Sequence, residues 1–535
     1  MSTVTPLLPA PFDVRLVCSF PRPYENAVAA ARTCYSARGI VAPEEVSGSA
    51  EQDAAARARK AASRDRIARS IYDAGHHTTL QHAHFQFALS GVSRHFVWAF
   101  LHSHPFYNSE QVSQRYVEVR PGNAVVPPLA TDARAVYVRR VEEQVAEYRD
   151  LGERLLPVCA RAYFDRFTAR ARRAERYAPE LRKRTQEVAR YVLPVATSTS
   201  LYHTVSGITL LRYARLCAAY DAPREQRQVV GRMVALLLEA DPLFRNLLEE
   251  PLPLEETAEH AFYRESGLAG AAASPVRASW AAEFDRDLGG RVSVLVDWKQ
   301  RNEETVAQAV RDVLGIPRAA LSDDAAIALA LDPAANRLHA ETLNLTTLGK
   351  LTRALHHAHY TFRKRISHAA DSQDQRHRMT PASRPCLEAY LAEAPDYVVP
   401  SLVREDDGVR RAYEESMART WDAIARLRSL GVPPEDRAYL LPNAVAIRFT
   451  ESADLLNLHH KLKMRLCYNA QEEIWRASRD EAAAVAGVNP RIGRHLVPPC
   501  TLRHRARRAP VCPEGTRYCG VRVWTLDPSA YERAI

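Results

Sequence analysis

The sequence predicts an α+β protein, mostly helical with small mixed sheets, built as two tandem copies of one domain with a short Cys- and Arg-rich C-terminal extension. Three observations predict it. HAHFQF at 82–87 returns as HAHYTF at 357–362, with the same two histidines at the same spacing. Each copy is preceded by an alternating stretch and then a helical one: FDVRLVCSF at 12–20 before YENAVAAARTCY, and RVSVLVDW at 291–298 before NEETVAQAVRDVL. Alternation marks a half-buried strand, and a three-to-four-residue apolar period marks a helix. Downstream of each HAH stands a Leu-Pro segment, RYVLPVA at 190–196 and AYLLPNA at 438–444. Amphipathic helix patterns follow near 201–219 and 452–468. Four landmarks repeated in one order indicate a tandem duplication.

A chain of 535 residues exceeds one ordinary core. The first copy is expected over 1–250 and the second over 290–490. Between them, EEPLPLEETAEH and GLAGAAASPVRAS carry Pro, Gly, Ala and Ser with little apolar period, which suits a linker over 251–289. Residues 491–535 form the extension. No apolar run approaches a membrane span, and MSTVTPLLPAPFDVRL lacks a basic-then-apolar signal. Nine scattered cysteines, an odd number, argue against a secreted disulfide framework and for a reducing cytoplasm. The net charge of +10 points to anionic partners such as nucleotides or phosphorylated cofactors.

Candidate chemistry begins with QDQRHR at 373–378. On a helix running through FRKRISHAADSQDQRHR, Gln373, Arg376 and His377 would share one face. An amide, a guanidinium fork and an imidazole together suit a planar anionic ligand, and a solvated basic helix end is the bland alternative. In SEQVSQRY at 109–116, an extended chain would point Ser113 and Arg115 to the same side. In ADLLNLHHKLKMRLCYNAQEEI, a continuous helix would place Arg465 and Asn469 on the stripe of Leu458 and Leu462. An arginine on an apolar stripe must meet an anion or acceptors, and an internal salt bridge would serve equally.

Together these segments resemble the flavin-dependent thymidylate synthases. That family carries Arg-His-Arg, seven residues, then Ser-x-Arg-Tyr. It also carries an upstream histidine before F-x-F, an Arg-x-x-Leu-Pro segment, and a helix ending Leu-Arg before Ala-Gln-x-Glu-Ile. TLQHAHFQF, EVARYVLP and RLCYNAQEEI carry the likeness here, which covers most of 10–250 and 290–480. The copies have lost different parts. The first reads SHP at 103–105 in place of Arg-His-Arg and Cys217 in place of the Leu-Arg arginine, but keeps Ser113, Arg115-Tyr116 and Arg190. The second keeps Gln373, Arg376-His377-Arg378, Arg465, Asn469 and Gln471. Its serine, Ser383, comes too early, and Ala438 replaces the arginine before Leu-Pro.

The resemblance implies reductive methylation of dUMP to dTMP, with FAD as cofactor and NADPH and methylenetetrahydrofolate as co-substrates. Arg376 and Arg465 would hold the uracil in an electron-rich form, and Gln373 and Ser113 would bind the nucleotide. Arg115 and Arg190 would take its phosphate. His377, Arg378, Asn469 and the upstream histidines His82 and His357 are flavin-contact candidates, with a structural role the alternative for each histidine. Glu110 joins them, although Glu110-Gln111 stands where the family has Asn-Glu. Family sites form between subunits of a tetramer, so complementary losses imply composite sites, half of them alive, in a homodimer acting as a pseudo-tetramer. Two other readings stay open: an offshoot acting on another pyrimidine nucleotide, and a non-catalytic binder of flavin, nucleotide or nucleic acid.

In the extension, Cys500, Cys512 and Cys519 with His495 and His504 offer ligands for zinc, though at spacings unlike the usual knuckles. The alternative is buried cysteines beside a surface strand, RYCGVRVWTL. RHRARRAP reads as a solvated basic face.

Overall fold

The computed structural model describes residues 12–49, 51–103, 105–218, 222–268 and 273–533. It contains two four-stranded sheets of the same plan, ordered β1-β2-β4-β3 and β5-β6-β8-β7. The strands are β1 (Asp13–Ser19), β2 (His84–Ser93), β3 (Asn108–Gln111), β4 (Ser198–Ser206), β5 (Ser293–Trp298), β6 (His359–Ser367), β7 (Ala382–Ser383) and β8 (Ala446–Asp454). Every ladder pairing is antiparallel, so the expected mixed sheets are corrected. Each excursion joining neighbouring strands, such as that from β1 to β2, returns at the sheet end it left, which makes the pair antiparallel.

The alternating stretches became β1 and β5, and the patterns behind them became helices Pro23–Thr33 and Asn302–Leu314. Both HAH motifs open a central strand whose aromatic residues face inward: Phe85 and Phe87 in β2, Tyr360 and Phe362 in β6. The patterns near 201–219 and 452–468 are strand followed by helix, not one helix. β4 precedes helix Gly207–Leu216, and β8 precedes helix Leu455–Arg465. The switch falls at an N-cap in each copy. Ser206 Oγ accepts from Thr209 N at 3.3 Å, and Asp454 Oδ1 accepts from Asn457 N at 2.9 Å. The other helix starts match as well: Ser93 Oγ accepts from Phe96 N and Ser367 Oγ from Ala370 N. These caps fix a residue-by-residue register between the copies.

The compact units do not coincide with the sequence copies. One gathers Met1–Glu142, Val195–Ala273 and Arg426–Leu440; the other gathers Glu143–Pro194, Ser274–Ala425 and Leu441–Ile535. The first unit therefore holds the first copy's sheet with Ala438–Leu440, the head of the second copy's Leu-Pro segment, and the second holds the second copy's sheet with Arg190–Pro194 of the first copy's. Within the first unit, the Tyr439 hydroxyl of the second copy donates to Glu225 Oε2 at 2.8 Å. Glu225 also accepts from the Ser93 backbone N–H and hydroxyl. Within the second unit, the Tyr191 hydroxyl of the first copy donates to Glu473 Oε2 at 2.7 Å, and Glu473 accepts from the N–H and hydroxyl of Ser367. A buried carboxylate with three donors has the partners its burial demands.

Each unit has its own apolar core: Phe85, Phe87, Phe96, Phe100, Val230 and Met233 among others in the first, Val306, Ile327, Tyr360, Phe362 and Leu458 in the second. The linker stretch holds helices Ala258–Ser266 and Ala273–Leu288. RYCGVRVWTL follows a 3-10 turn, Gly515–Arg517, and contains another, Val523–Thr525, but no strand, correcting that expectation. It has no partner ladder; Val523 and Tyr531 instead pack with Tyr468 and Trp475. No described helix is long and apolar enough to cross a membrane.

Candidate functional site

In the second unit, β6 runs through FRKRIS, so the helix expected across that stretch starts only at His368 and ends at Asp374. Gln373 lies in its last turn, while Arg376 and His377 follow in a turn carried by Arg376 N to Gln373 O and His377 N to Asp374 O. The three side chains therefore do not share one helical face. The N-cap at Ser367 and the alternation of Tyr360, Phe362 and Ile366 decide for strand over helix. Helix Leu455–Arg465 likewise ends at Arg465, which leaves Asn469 in the following loop rather than on the Leu458–Leu462 stripe.

These elements nevertheless bring the second copy's polar set together. Arg465 Nη2 donates to the Gln373 carbonyl at 2.6 Å. The Gln373 amide donates to Gln471 Oε1, and Gln471 Nε2 donates to the Tyr191 hydroxyl. Tyr191 is the residue after Arg190, whose carbonyl accepts from Asn443 Nδ2 at 3.0 Å. A continuous hydrogen-bond chain thus runs Gln373–Gln471–Tyr191–Glu473–Ser367. It joins the second copy's amide and guanidinium residues to the first copy's Arg190 segment inside one unit. Burial first, and then the charge of Arg465, hold the His377 imidazole well below its usual range, so it is neutral at pH 7. Its Nε2 is buried without a hydrogen-bond partner among the described residues. Arg376 is exposed, and Arg378 is half-buried.

The first unit holds Ser113, Arg115, Glu110 and His82. Ser113 and Arg115 lie beyond the end of β3, in a turn where Arg115 N donates to Ser113 Oγ at 3.2 Å and Val117 N to Ser113 O at 3.0 Å. The expected extended pair is corrected: β3 stops at Gln111, the last residue pairing with β4. Glu110 is exposed on β3, and its partner on β4 is Tyr202. In the second copy Ser383 pairs with Thr450, the counterpart of Tyr202, so Ser383 stands in the register of Glu110 rather than Ser113. His82 and His357 both end 3-10 turns, Thr79–His82 and Thr352–His357, with exposed rings.

Counting from the capping residues aligns what each unit retains. Gln373, Arg376 and Arg465 correspond to Ala99, His102 and Cys217 in the first unit, and Gln471 corresponds to Pro223. His377 corresponds to Ser103; the middle residue of SHP at 103–105 lies outside the described residues. The Leu-Pro segment in the first unit supplies Ala438, whereas that in the second supplies Arg190. Every replacement in the first unit removes a charged or amide donor.

The extension packs on the loop after Arg465. Asn469 Nδ2 donates to Arg517 O at 2.7 Å, and Cys500 and Cys519 lie against the Tyr468–Trp475–Tyr531 cluster. Burial pushes the Cys500 and Cys467 thiols up to about 12. Among the described residues no group of three or more His, Cys, Asp or Glu side chains is placed to hold a metal ion. Cys500 and Cys519 border that hydrophobic cluster, where a thiol packs as a small, weakly polar side chain. His495 is buried and held down to about 4 by burial, and His504 is exposed.

Two features escape sequence reasoning. Glu225 and Glu473, second residues of helices Arg224–Ala240 and Glu472–Val488, anchor the exchanged tyrosines. Lys364, between Phe362 and Ile366 on an inward-facing strand row, is buried; a lysine in that row is the signal that reveals it.

Comparison with known proteins agrees with the internal repeat. A family model described as "Thymidylate synthase complementing protein" matches twice, over residues 15–243 and 294–491. A flavin-dependent thymidylate synthase of Geobacter sulfurreducens is 32% identical over 169 residues, 31% of this chain and 70% of that protein. One from Clostridium tetani is 24% identical over 232 residues, 43% of this chain and 83% of the relative. A solved Helicobacter pylori thymidylate synthase X with FAD and dUMP is 16% identical, covering 44% of this chain and 100% of that one, at a TM-score of 0.30, a likeness too distant to support an inference.

Proposed function

Because this chain belongs to the thymidylate synthase complementing protein family, we propose that it is a flavin-dependent thymidylate synthase whose nucleotide grip is composite, drawing on residues from both sequence copies. The observation that carries this reading is the buried chain Gln373–Gln471–Tyr191, which sets the second copy's Gln373 and Arg465 beside the first copy's Arg190 segment. The equivalent positions of the first unit hold Ala99, Cys217, Pro223 and Ala438, none of which can grip an anion.

The substrate on this reading is dUMP. Arg465 and Arg376 face the uracil carbonyls, where fixed cationic donors stabilise the electron-rich ring that makes C5 nucleophilic. Gln373 hydrogen-bonds the base edge, and Arg190 takes the phosphate bidentately. Ser113 and Arg115 are nucleotide-binding residues on this reading because they match the family's Ser-x-Arg-Tyr motif. The group that fits beside them is FAD. A neutral His377 with a buried, unpartnered Nε2 can hydrogen-bond a ring without adding charge, and Arg378 suits the cofactor's phosphates. When bound, the flavin supplies hydride chemistry, with NADPH as reductant and methylenetetrahydrofolate as one-carbon donor. His82, His357 and Glu110 are further flavin contacts on this reading, and the working assembly is a homodimer.

The test is direct. The purified protein should show flavin absorbance or take up added FAD, and should convert dUMP to dTMP with methylenetetrahydrofolate and NADPH. A colourless protein that cannot be reconstituted with FAD overturns the reading.

A further inference from the structure

Directly behind the Gln373–Arg465 contact, the second unit buries five charged side chains. Lys461 Nζ lies 2.6 Å from Asp374 Oδ2 and 2.5 Å from Glu451 Oε1. Lys364 Nζ lies 2.9 Å from Glu451 Oε1, 2.6 Å from Glu481 Oε1 and 3.6 Å from Asp374 Oδ2. Ser293 Oγ donates to Glu481 Oε1 at 3.1 Å. None of the five side chains is more than 6% exposed. Asp374 Oδ1 and Glu481 Oε2 have no hydrogen-bond partner among the described residues. Such an assembly costs more in desolvation than an apolar core of the same volume.

The first copy is an internal control. In the cap-defined register, Lys364, Asp374, Glu451, Lys461 and Glu481 correspond to Leu89, Phe100, His203, Tyr213 and Met233. All five are buried, and the aromatic ones pack together: Phe100 lies 4.7 Å from His203 and 4.9 Å from Tyr213 between ring centroids. The fold therefore closes at these positions without any ionic network. The charges occur in the copy that kept Gln373, Arg376 and Arg465, and apolar and aromatic side chains occur where those residues were lost.

The geometry says what the charges do. Lys461 and Arg465 stand one turn apart on helix Leu455–Arg465, and they grip consecutive residues, Asp374 and Gln373, at the end of helix His368–Asp374. We propose that Lys461 and Asp374, backed by Lys364, Glu451 and Glu481, are positioning residues: their ion pair sets the gap across which Arg465 and Gln373 present themselves to the nucleotide. This rests on the functional reading above. Burial opposes charge at Asp374 and Lys364, but the neighbouring lysines hold Asp374 well below the usual carboxylate range and the neighbouring carboxylates hold Lys364 above its ordinary value, while burial raises Glu481.

The test uses full-length, flavin-loaded protein. The double variant Asp374→Phe with Lys461→Tyr installs the pair found in the first copy. It should fold with a Tm at or above the parent and lose on the order of a hundredfold in kcat/KM for dUMP, because a misplacement of about 1 Å has that effect. FAD affinity should stay within about twofold of the parent. Asp374→Asn, which preserves shape, covers the case in which the double variant does not fold; it should weaken calorimetrically measured dUMP binding by about tenfold or more, while FAD affinity again holds. A folded variant with parental dUMP binding and kcat/KM overturns the proposal, and so does equal loss of dUMP and FAD binding, which marks a general structural defect. Parent protein that holds flavin but binds no dUMP overturns the functional reading, and the positioning role with it.

Discussion

Tyr191→Phe tests the composite site at its narrowest point, and Tyr439→Phe is its built-in control. Both hydroxyls donate to a buried glutamate, Glu473 and Glu225, at 2.7 and 2.8 Å. Each glutamate keeps two donors from the adjacent serine after the substitution. Losing one hydrogen bond to a carboxylate costs about 1.5–3 kcal/mol, and both variants bear that loss. Tyr191 has a second task, accepting from Gln471 Nε2. Gln471 is 2% exposed, so its amide would be left buried without that acceptor, for about 1–3 kcal/mol more. Pro223 stands at the matching position opposite Tyr439 and has no such donor. Tyr439 also keeps its edge contact with His95 as a phenylalanine. Urea unfolding, compared by midpoint at unchanged slope, should therefore place Tyr191→Phe about 1–3 kcal/mol below Tyr439→Phe. Calorimetric titration with dUMP should show weaker binding for Tyr191→Phe only, by roughly fivefold or more for about 1 kcal/mol of loosened Gln373. Equal destabilisation of the two variants, with dUMP affinity intact in both, would refute the chain as a link between the copies.

Arg376→Ala and Arg115→Ala, although in different copies, should each reduce dTMP formation by on the order of a hundredfold or more in a tritium-release assay, whereas Ser383→Ala should change it little. His95 is held down to about 4 by burial, against 6.5 when unfolded. Its neutral form stabilises the fold fully above pH 6.5, and that contribution is lost as pH falls toward 4, by about 3 kcal/mol. His95→Phe should flatten this acid-side decline, as read by thermal melts across that range. Gly207→Ala places a Cβ 2.6 Å from Phe244 Cε1 and 3.1 Å from Phe85 Cε2. Overpacking there should lower stability by about 1–3 kcal/mol in denaturant titrations, whereas Leu455, its counterpart in the second copy, already carries a side chain.

Much of the architecture was legible because it was written twice. The alternation in FDVRLVCSF and RVSVLVDW and the periods behind them gave β1, β5 and their helices, since local pattern and burial agree there. Misreadings cluster at strand-to-helix switches. The stretches near 201–219 and 452–468 each read as one amphipathic run, because apolar residues spaced for a helix also fit a strand when a cap divides them. The cap, Ser206 or Asp454, was the only local sign. Ser113 and Arg115 were misplaced for a different reason: SEQVSQRY alternates, but β3 ends at Gln111 although β4 runs on to Ser198, because the chain turns at Ser113, where Arg115 N and Val117 N bond back to it. For the site, the candidates Gln373, Arg376, Arg465 and Arg190 came together only through the family's motifs, and their hydrogen-bond partners were not legible. Tyr191 meets Gln471 across 280 positions.

The traded Leu-Pro segments have a consequence for how such a gene can change. Cutting the chain in the linker would leave either half without a strip of its own hydrophobic body, so neither fragment should fold to a working form when expressed alone. The same dependence relaxes selection unequally. Once each half leans on a borrowed piece, an arginine can vanish from one position provided its twin survives at the other, and a second loss then becomes hard to reverse. Fusion of this kind works as a ratchet: it lets two identical ancestors become unlike, and afterwards forbids their separation.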